Sequence, residues 1–213
     1  MIYIKMIIIT VVTLFMTACG SEDSLYLTDA PLGVDKKIDR AYIQQKSNVE
    51  LYRDIKIESK SSKQSLLDAH NRARVDVGVL SEYRWSDTIS KDAQKYADEM
   101  ALSGVWAHDS KNHTGYKNGP YGENLFISNF KPTYSFATNA WIDEKAFYHY
   151  GKIGDDKTCD VGKICGHYTQ VVWERSSKVG CAVSRYVTGK HKGWYIIVCK
   201  YQEPGNYLDE TPY

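Results

Sequence analysis

Four ionisable side chains carry the chemistry this sequence could perform: His108 in WAHDS, Glu123 in YGENLFIS, Glu144 in AWIDEKAFYHY and His167 in CGHYTQVVWERSSKVGCA. Two imidazoles can offer nitrogens to zinc or another divalent cation, and two carboxylates can orient those rings or act as general bases. Each residue also has a plain structural reading. Glu144 interrupts an apolar stripe in which Ala137, Ala140, Trp141, Phe147 and Tyr148 share one helix face. It could reach water at the edge of that stripe. If it is covered instead, it needs a partner, because burying an unpaired charge is costly. His167 opens HYTQVVW, which reads as a central strand with large residues on both faces, and a lone histidine there is ordinarily structural. Glu123 follows a glycine at the start of another strand, and His108 follows a helix end beside Trp106. Spacing alone does not bring the four together.

The elements that must position them can be read from periodicity. QSLLDAHNRARVDVG places Leu66, Leu67, Ala69, His70, Ala73 and Val77 at helical spacing and stops at Gly78. A second helix runs through SDTISKDAQKYADEMALSG, capped by Ser86 or Asp87 and ended by Gly104. A third amphipathic segment spans Ser135 to Gly151. Strand-like runs are GENLFIS at 122–128, HYTQVVW at 167–173, and two arms at 179–186 and 194–201 around the turn TGKHKG. The interleaving predicts an α+β domain with helices over a small antiparallel sheet, and no βαβ repeat is present. His70 is expected to be a satisfied polar contact beneath the sheet, and His113, His149 and His191 are expected to be solvated.

The chain opens on Lys5 followed by eleven uncharged, mostly apolar residues from Met6 to Met16, too few to span a bilayer but suited to an export signal. Thr17-Ala18-Cys19-Gly20 resembles a bacterial lipobox, so residues 1–18 are expected to be a lipoprotein signal and Cys19 the lipidated residue. An ordinary cleaved signal is the alternative. Residues 19–62 read as a polar tether with a short helix around Arg40–Asp54, and residues 63–213 as the folded domain. Loss of residues 1–18 removes Lys5 and leaves basic and acidic side chains equal in number. That balance excludes an electrostatic case for nucleic acid or anionic lipid.

Apart from Cys19, the cysteines are Cys159, Cys165, Cys181 and Cys199, which in an exported protein read as two disulfides. Folding the hairpin near Lys190 sets Cys181 opposite Cys199, which leaves Cys159 to Cys165. The sequence holds no G-x-S-x-G elbow, no H-E-x-x-H and no dinucleotide fingerprint. Oxidised cysteines argue against a thiol nucleophile.

GHYTQVVWERSSKVGCA and IIVCKYQEPGNY resemble the two signature segments of the CAP superfamily of cysteine-rich secretory proteins, venom allergens and plant pathogenesis-related proteins. LLDAHNRARVDVGV, WAHDS, YGENLF and AWIDEKAFYHY match its other blocks in order, from about Lys63 to Tyr213. CDVGKICGHYTQVVW and PGNYLDETPY are in the style of the plant members. The resemblance implies an α-β-α sandwich whose central cleft holds His108, Glu123, Glu144 and His167, with a divalent metal on His108 and His167 in some members. It also implies grooves for sterol or fatty acid, or docking on a partner protein. Both cysteines of the plant members' third disulfide are missing, with Tyr186 where one would fall. A bridge of that kind is worth about 2–4 kcal/mol. The resemblance does not take in the cysteine-rich C-terminal module of some members, so their channel-modulating activities are not expected here.

Three functional readings follow. The first is an exported, lipid-anchored binding module for a metal, a lipid or a partner. The second is a zinc-dependent hydrolase with Glu123 or Glu144 as general base, although two protein nitrogens are fewer than catalytic zinc usually has. The third is a tetrad that serves structure alone.

Overall fold

The computed structural model describes residues 26–27, 60–113 and 119–213. Cys19, the segment 1–18 and the short helix expected around Arg40–Asp54 lie outside the described residues. In chain order the elements are β1 (Tyr26–Leu27), α1 (Lys60–Val75), β2 (Arg84–Trp85), α2 (Asp87–Ser103), β3 (Gly122–Ser128), α3 (Tyr134–Asp143), a 3₁₀ turn (Glu144–Phe147), α4 (Gly166–Val171), β4 (Lys178–Arg185) and β5 (Tyr195–Gln202). The sheet runs in the order β1-β3-β5-β4-β2. Its centre is antiparallel, with Glu123 opposite Lys200 and Cys181 opposite Cys199. The edge strand β2 runs parallel to β4, so the sheet is mixed rather than purely antiparallel.

Strand alternation builds two cores, one on each face. Phe126, Val183 and Ile197 pack with Leu66 and Ala73 of α1, Ala137 and Trp141 of α3, and Tyr168 of α4. Leu125, Ile127, Ala182, Ile196 and Val198 pack against Ala93, Ala97 and Met100 of α2. The result is the expected α-β-α sandwich, with α1, α3 and α4 on one side and α2 on the other. Helix α2 begins where the sequence indicates, with the Ser86 side chain accepting from the Ile89 N–H. It ends at Gly104, whose φ of 73° suits a residue without a Cβ.

Two expected elements differ. HYTQVVW does not form a strand: residues 166–171 are helical. Every residue from His167 to Val172 is buried, so no polar alternation marks the period. Tertiary contacts then decide, because the Glu144 carboxylate accepts the first free N–H groups of the turn and the Cys159–Cys165 disulfide anchors its start. The long helix expected over 135–151 stops at Asp143, and Glu144 begins a 3₁₀ turn instead of continuing the stripe. Both disulfides pair as expected, Cys159–Cys165 and Cys181–Cys199.

Candidate functional site

Beyond α2 the chain turns back toward the sheet, and two tyrosines fix its path. Tyr186 donates its hydroxyl to the Val105 carbonyl at 2.8 Å, and Tyr96 donates to the Ala107 carbonyl at 2.6 Å. Trp106, between those two carbonyls in the chain, is buried in the α2 core. This delivers His108 to the start of β3, where its Nδ1 lies 2.8 Å from Glu123 Oε1. The same oxygen accepts the Asp109 N–H at 3.0 Å, and Oε2 accepts from the Asn112 amide at 2.8 Å. Gly122 makes the approach possible, since a Cβ there would lie 2.0 Å from Gln170 Oε1. Below this turn the buried Lys200 ammonium donates to Asp109 at 3.0 Å and to Asp92 at 3.2 Å. Burial pulls the Lys200 pKa down, but the Asp109, Glu123 and Asp92 carboxylates together outweigh it and the net shift is upward. Burial likewise pushes the Asp109 carboxyl up, and the Lys111 N–H and Lys200 bring it below its ordinary range.

The second pair is built from α3 and α4. Glu144 follows the last residue of α3, and its Oε1 lies 2.5 Å from His167 Nδ1. Its Oε2 accepts the backbone N–H groups of His167 and Tyr168, each at 3.1 Å. The His167 ring stacks on Trp141, with centroids 6.1 Å apart and planes at 16°. Backbone N–H groups, an amide and ring nitrogens surround the two carboxylates, so both serve as ionised acceptors. In the neutral imidazoles this assigns the proton to Nδ1 and the lone pair to Nε2.

A buried polar relay backs the second pair. The Asn124 amide donates to the His167 carbonyl at 3.1 Å and to the Tyr201 hydroxyl at 3.3 Å. Tyr201 lies 3.0 Å from His70 Nε2, and His70 Nδ1 lies 3.0 Å from the Leu66 carbonyl. A carbonyl only accepts, so His70 is protonated at Nδ1 and Tyr201 donates to Nε2. Complete burial lowers the His70 pKa to about 4, against the Leu66 bond that raises it and with Arg74 lowering it further. His70 is thus the satisfied contact expected from sequence.

His108, Glu123 and His167 line one cleft of about 440 Å³, with Glu144 hydrogen-bonded behind His167. Ile153, Ile164 and Leu208 line the same cleft. Of the histidines expected to be solvated, only His149 is exposed, paired with Asp160 at 2.8 Å. His191 is buried between Tyr186 and Trp194 in the β4–β5 turn. His113 is also buried and lines the cleft, its ring against Tyr207 with centroids 4.1 Å apart. Nothing in the local pattern KNHTG signals that burial, because Tyr207 comes from the distant C-terminal segment. Asn112 and the Lys200–Asp109 contact are likewise invisible to spacing.

The geometry separates two kinds of chemistry. The glutamates hold the rings and receive backbone or amide donors, so neither is placed as a ready general base. The histidines can supply two Nε2 lone pairs to a divalent cation, with the carboxylates fixing tautomer and orientation. Among the described residues no group of three or more His, Cys, Asp or Glu side chains is disposed to hold a metal. The described residues therefore offer at most two imidazole nitrogens in this cleft, not a closed tetrahedral set.

Residues 67–201 match the model of the CAP cysteine-rich secretory protein family. Pathogenesis-related protein 1A of Nicotiana tabacum is 41% identical over 156 residues, which cover 73% of this chain and 83% of the relative. Pathogenesis-related protein 1 of Arabidopsis thaliana is 36% identical over 159 residues, covering 75% and 87%. The fold is similar to the crystal structure of NaASP2 with Zn2+, with a TM-score of 0.55 at 22% identity over 73% of this chain and 86% of that one. It is also similar to BmVAL-1, with a TM-score of 0.56 at 19% identity over 73% and 83%. This chain belongs to the CAP, or cysteine-rich secretory protein, family.

Proposed function

We propose that this protein is an exported binding module, anchored through a lipid on Cys19, whose central cleft holds a divalent cation weakly on His108 and His167. One observation carries the cleft reading. Each histidine presents Nδ1 to a glutamate whose carboxylate also accepts backbone N–H groups, which fixes the tautomer and orientation of both rings in the cleft. The same arrangement disfavours the hydrolase reading, which needs a carboxylate free to take a proton from water. The Zn2+ that accompanies NaASP2 in its crystal structure and the secretory character of the family support this reading without establishing it. A groove between α1 and α3, lined by Ala73, Val75 and Ile142 beside Asp68, Arg72 and Asp76, is the candidate place for a sterol or fatty acid.

Calorimetric titration of zinc into the purified protein tests the metal site. Binding is expected to be weak, to fall at least tenfold in His108→Ala or His167→Ala, and to weaken as pH drops and the imidazoles protonate. A wild-type protein that takes up no zinc would end the metal reading. Hydrolysis unaffected by Glu144→Gln and His167→Ala would belong to a contaminant. Mass spectrometry of the mature N-terminus decides the anchor, and an unacylated terminus would remove it.

A further inference from the structure

The geometry points to His113 as a ligand-reading residue of the central cleft, one that hydrogen-bonds the backbone amides of a short, uncharged polypeptide segment with aliphatic side chains. The inference deepens the binding reading above but does not depend on metal.

His113 is 6% exposed, and neither ring nitrogen has a hydrogen-bond partner among the described residues. The Asn206 backbone is near enough to favour the protonated ring without reaching hydrogen-bonding geometry. Leaving both nitrogens of a buried imidazole unsatisfied is costly, and such a group in a folded protein calls for an explanation. The backbone that carries the ring is fixed. The His113 N–H donates to the Tyr121 carbonyl at 2.8 Å, and the preceding Asn112 is tied to Glu123. Tyr207 packs against the ring. The imidazole is thus held in place, and among the described residues its donor and acceptor are unclaimed, which is how a preorganised recognition group looks.

The rest of the cleft shows why this residue would be the reader. Its other amide and hydroxyl side chains already serve the protein. Asn124 donates to His167 and Tyr201, Gln170 accepts from Gly205, and Asn206 and Thr169 bond each other. Thr158 donates to Asp155. Burial lowers the His113 pKa, so the ring is neutral and presents one N–H and one lone pair. The complementary partner is uncharged and both donates and accepts, as successive peptide amides do. Ile153, Ile164 and Leu208, which line the same cleft, provide apolar surface for its side chains.

The test is a titration of N-acetyl-leucine N′-methylamide into the purified protein in EDTA, followed on histidine ring resonances by NMR. We expect saturable shifts of the His113 ring at millimolar probe and weaker binding of N-acetyl-leucine, which carries a charge. His113→Phe, which keeps the packing on Tyr207, should raise the Kd at least tenfold. His113→Gln, which restores a donor and an acceptor, should recover part of it. No shift at His113 up to the solubility limit, or equal binding by wild type and His113→Phe, would mean that water alone satisfies the ring and would overturn the proposal. Because EDTA removes metal, failure here is distinct from failure of the zinc site.

Discussion

The two histidine–glutamate pairs use the same bond, Nδ1 to a carboxylate oxygen, in different surroundings. In His167–Glu144 the side chains are 2% and 7% exposed, and the carboxylate takes two backbone N–H groups at the start of a helix. In His108–Glu123 the glutamate side chain is 1% exposed but the histidine is 35% exposed, and the other acceptor bonds go to the Asp109 N–H and the Asn112 side chain. The first pair is therefore tied to the start of a helix, whereas the second joins a loop histidine to a strand glutamate and has one adjustable side-chain partner and water within reach. Holding a ring for a ligand and holding a helix for the fold are separate tasks. Glu144 performs both, and Glu123 leans toward the first.

The largest expected difference comes from deleting each carboxylate. Glu144→Ala leaves three donors without their acceptor, among them two backbone N–H groups in the interior, and should cost about 3–4 kcal/mol of stability. Glu123→Ala also orphans three donors but should cost only about 1–2 kcal/mol, because His108 can turn to water, the Asn112 side chain can rotate, and one backbone N–H rather than two loses its acceptor. Urea denaturation midpoints at constant m-value check this. Equal losses would erase the distinction.

Acid should act next, and through the buried pair. The unfolded chain takes a proton on His70 near pH 6.5, whereas the folded chain refuses it until about pH 4. The unfolded state thus holds more protons across that window, so stability is fully present above it and falls as pH drops through it. The loss is on the order of 3 kcal/mol. Protonation at Nε2 also breaks the Tyr201 donation that supports Asn124 and the His167 carbonyl. His70→Gln should start less stable at neutral pH and fall less steeply between pH 6.5 and 4. Parallel curves for the two proteins would show that the acid sensitivity lies elsewhere.

How far the sequence speaks for this architecture differs from element to element. Helix α2 is legible because Ser86, the apolar face and Gly104 agree, and the hairpin because its midpoint sets Cys181 against Cys199. HYTQVVW is misread because β-branched and aromatic residues favour a strand locally, and the contacts that make it helical come from Glu144 and Cys159. The apolar stripe leads to Glu144 as a residue in need of a partner, although the helix that defines the stripe ends one residue earlier. His108 and Glu123 come together through the family resemblance, because no spacing rule joins a post-helical loop to a strand start. His113 is beyond reach, since its burial depends on Tyr207 and its significance on what does not contact it.

The finest contrast lies in the position of a proton. Replacing either glutamate by glutamine swaps one acceptor oxygen for an amide donor, and the two sites should absorb that change differently. At Glu144 the amide oxygen must stay on the two backbone N–H groups, which cannot become acceptors. The new NH₂ then faces His167 Nδ1, and the ring should respond by moving its proton to Nε2. At Glu123 the amide oxygen can stay on His108 and the Asp109 N–H, while Asn112 turns its own amide to accept from the new NH₂. His108 should therefore keep its proton on Nδ1. Long-range ¹H–¹⁵N spectra of histidine-labelled protein distinguish the tautomers directly. Stability should change by about 1 kcal/mol or less in Glu123→Gln, whereas zinc affinity should fall more in Glu144→Gln, because a ring protonated at Nε2 has no lone pair to give there. If both rings switch, Asn112 is as rigid as a backbone amide and the two pairs are alike after all.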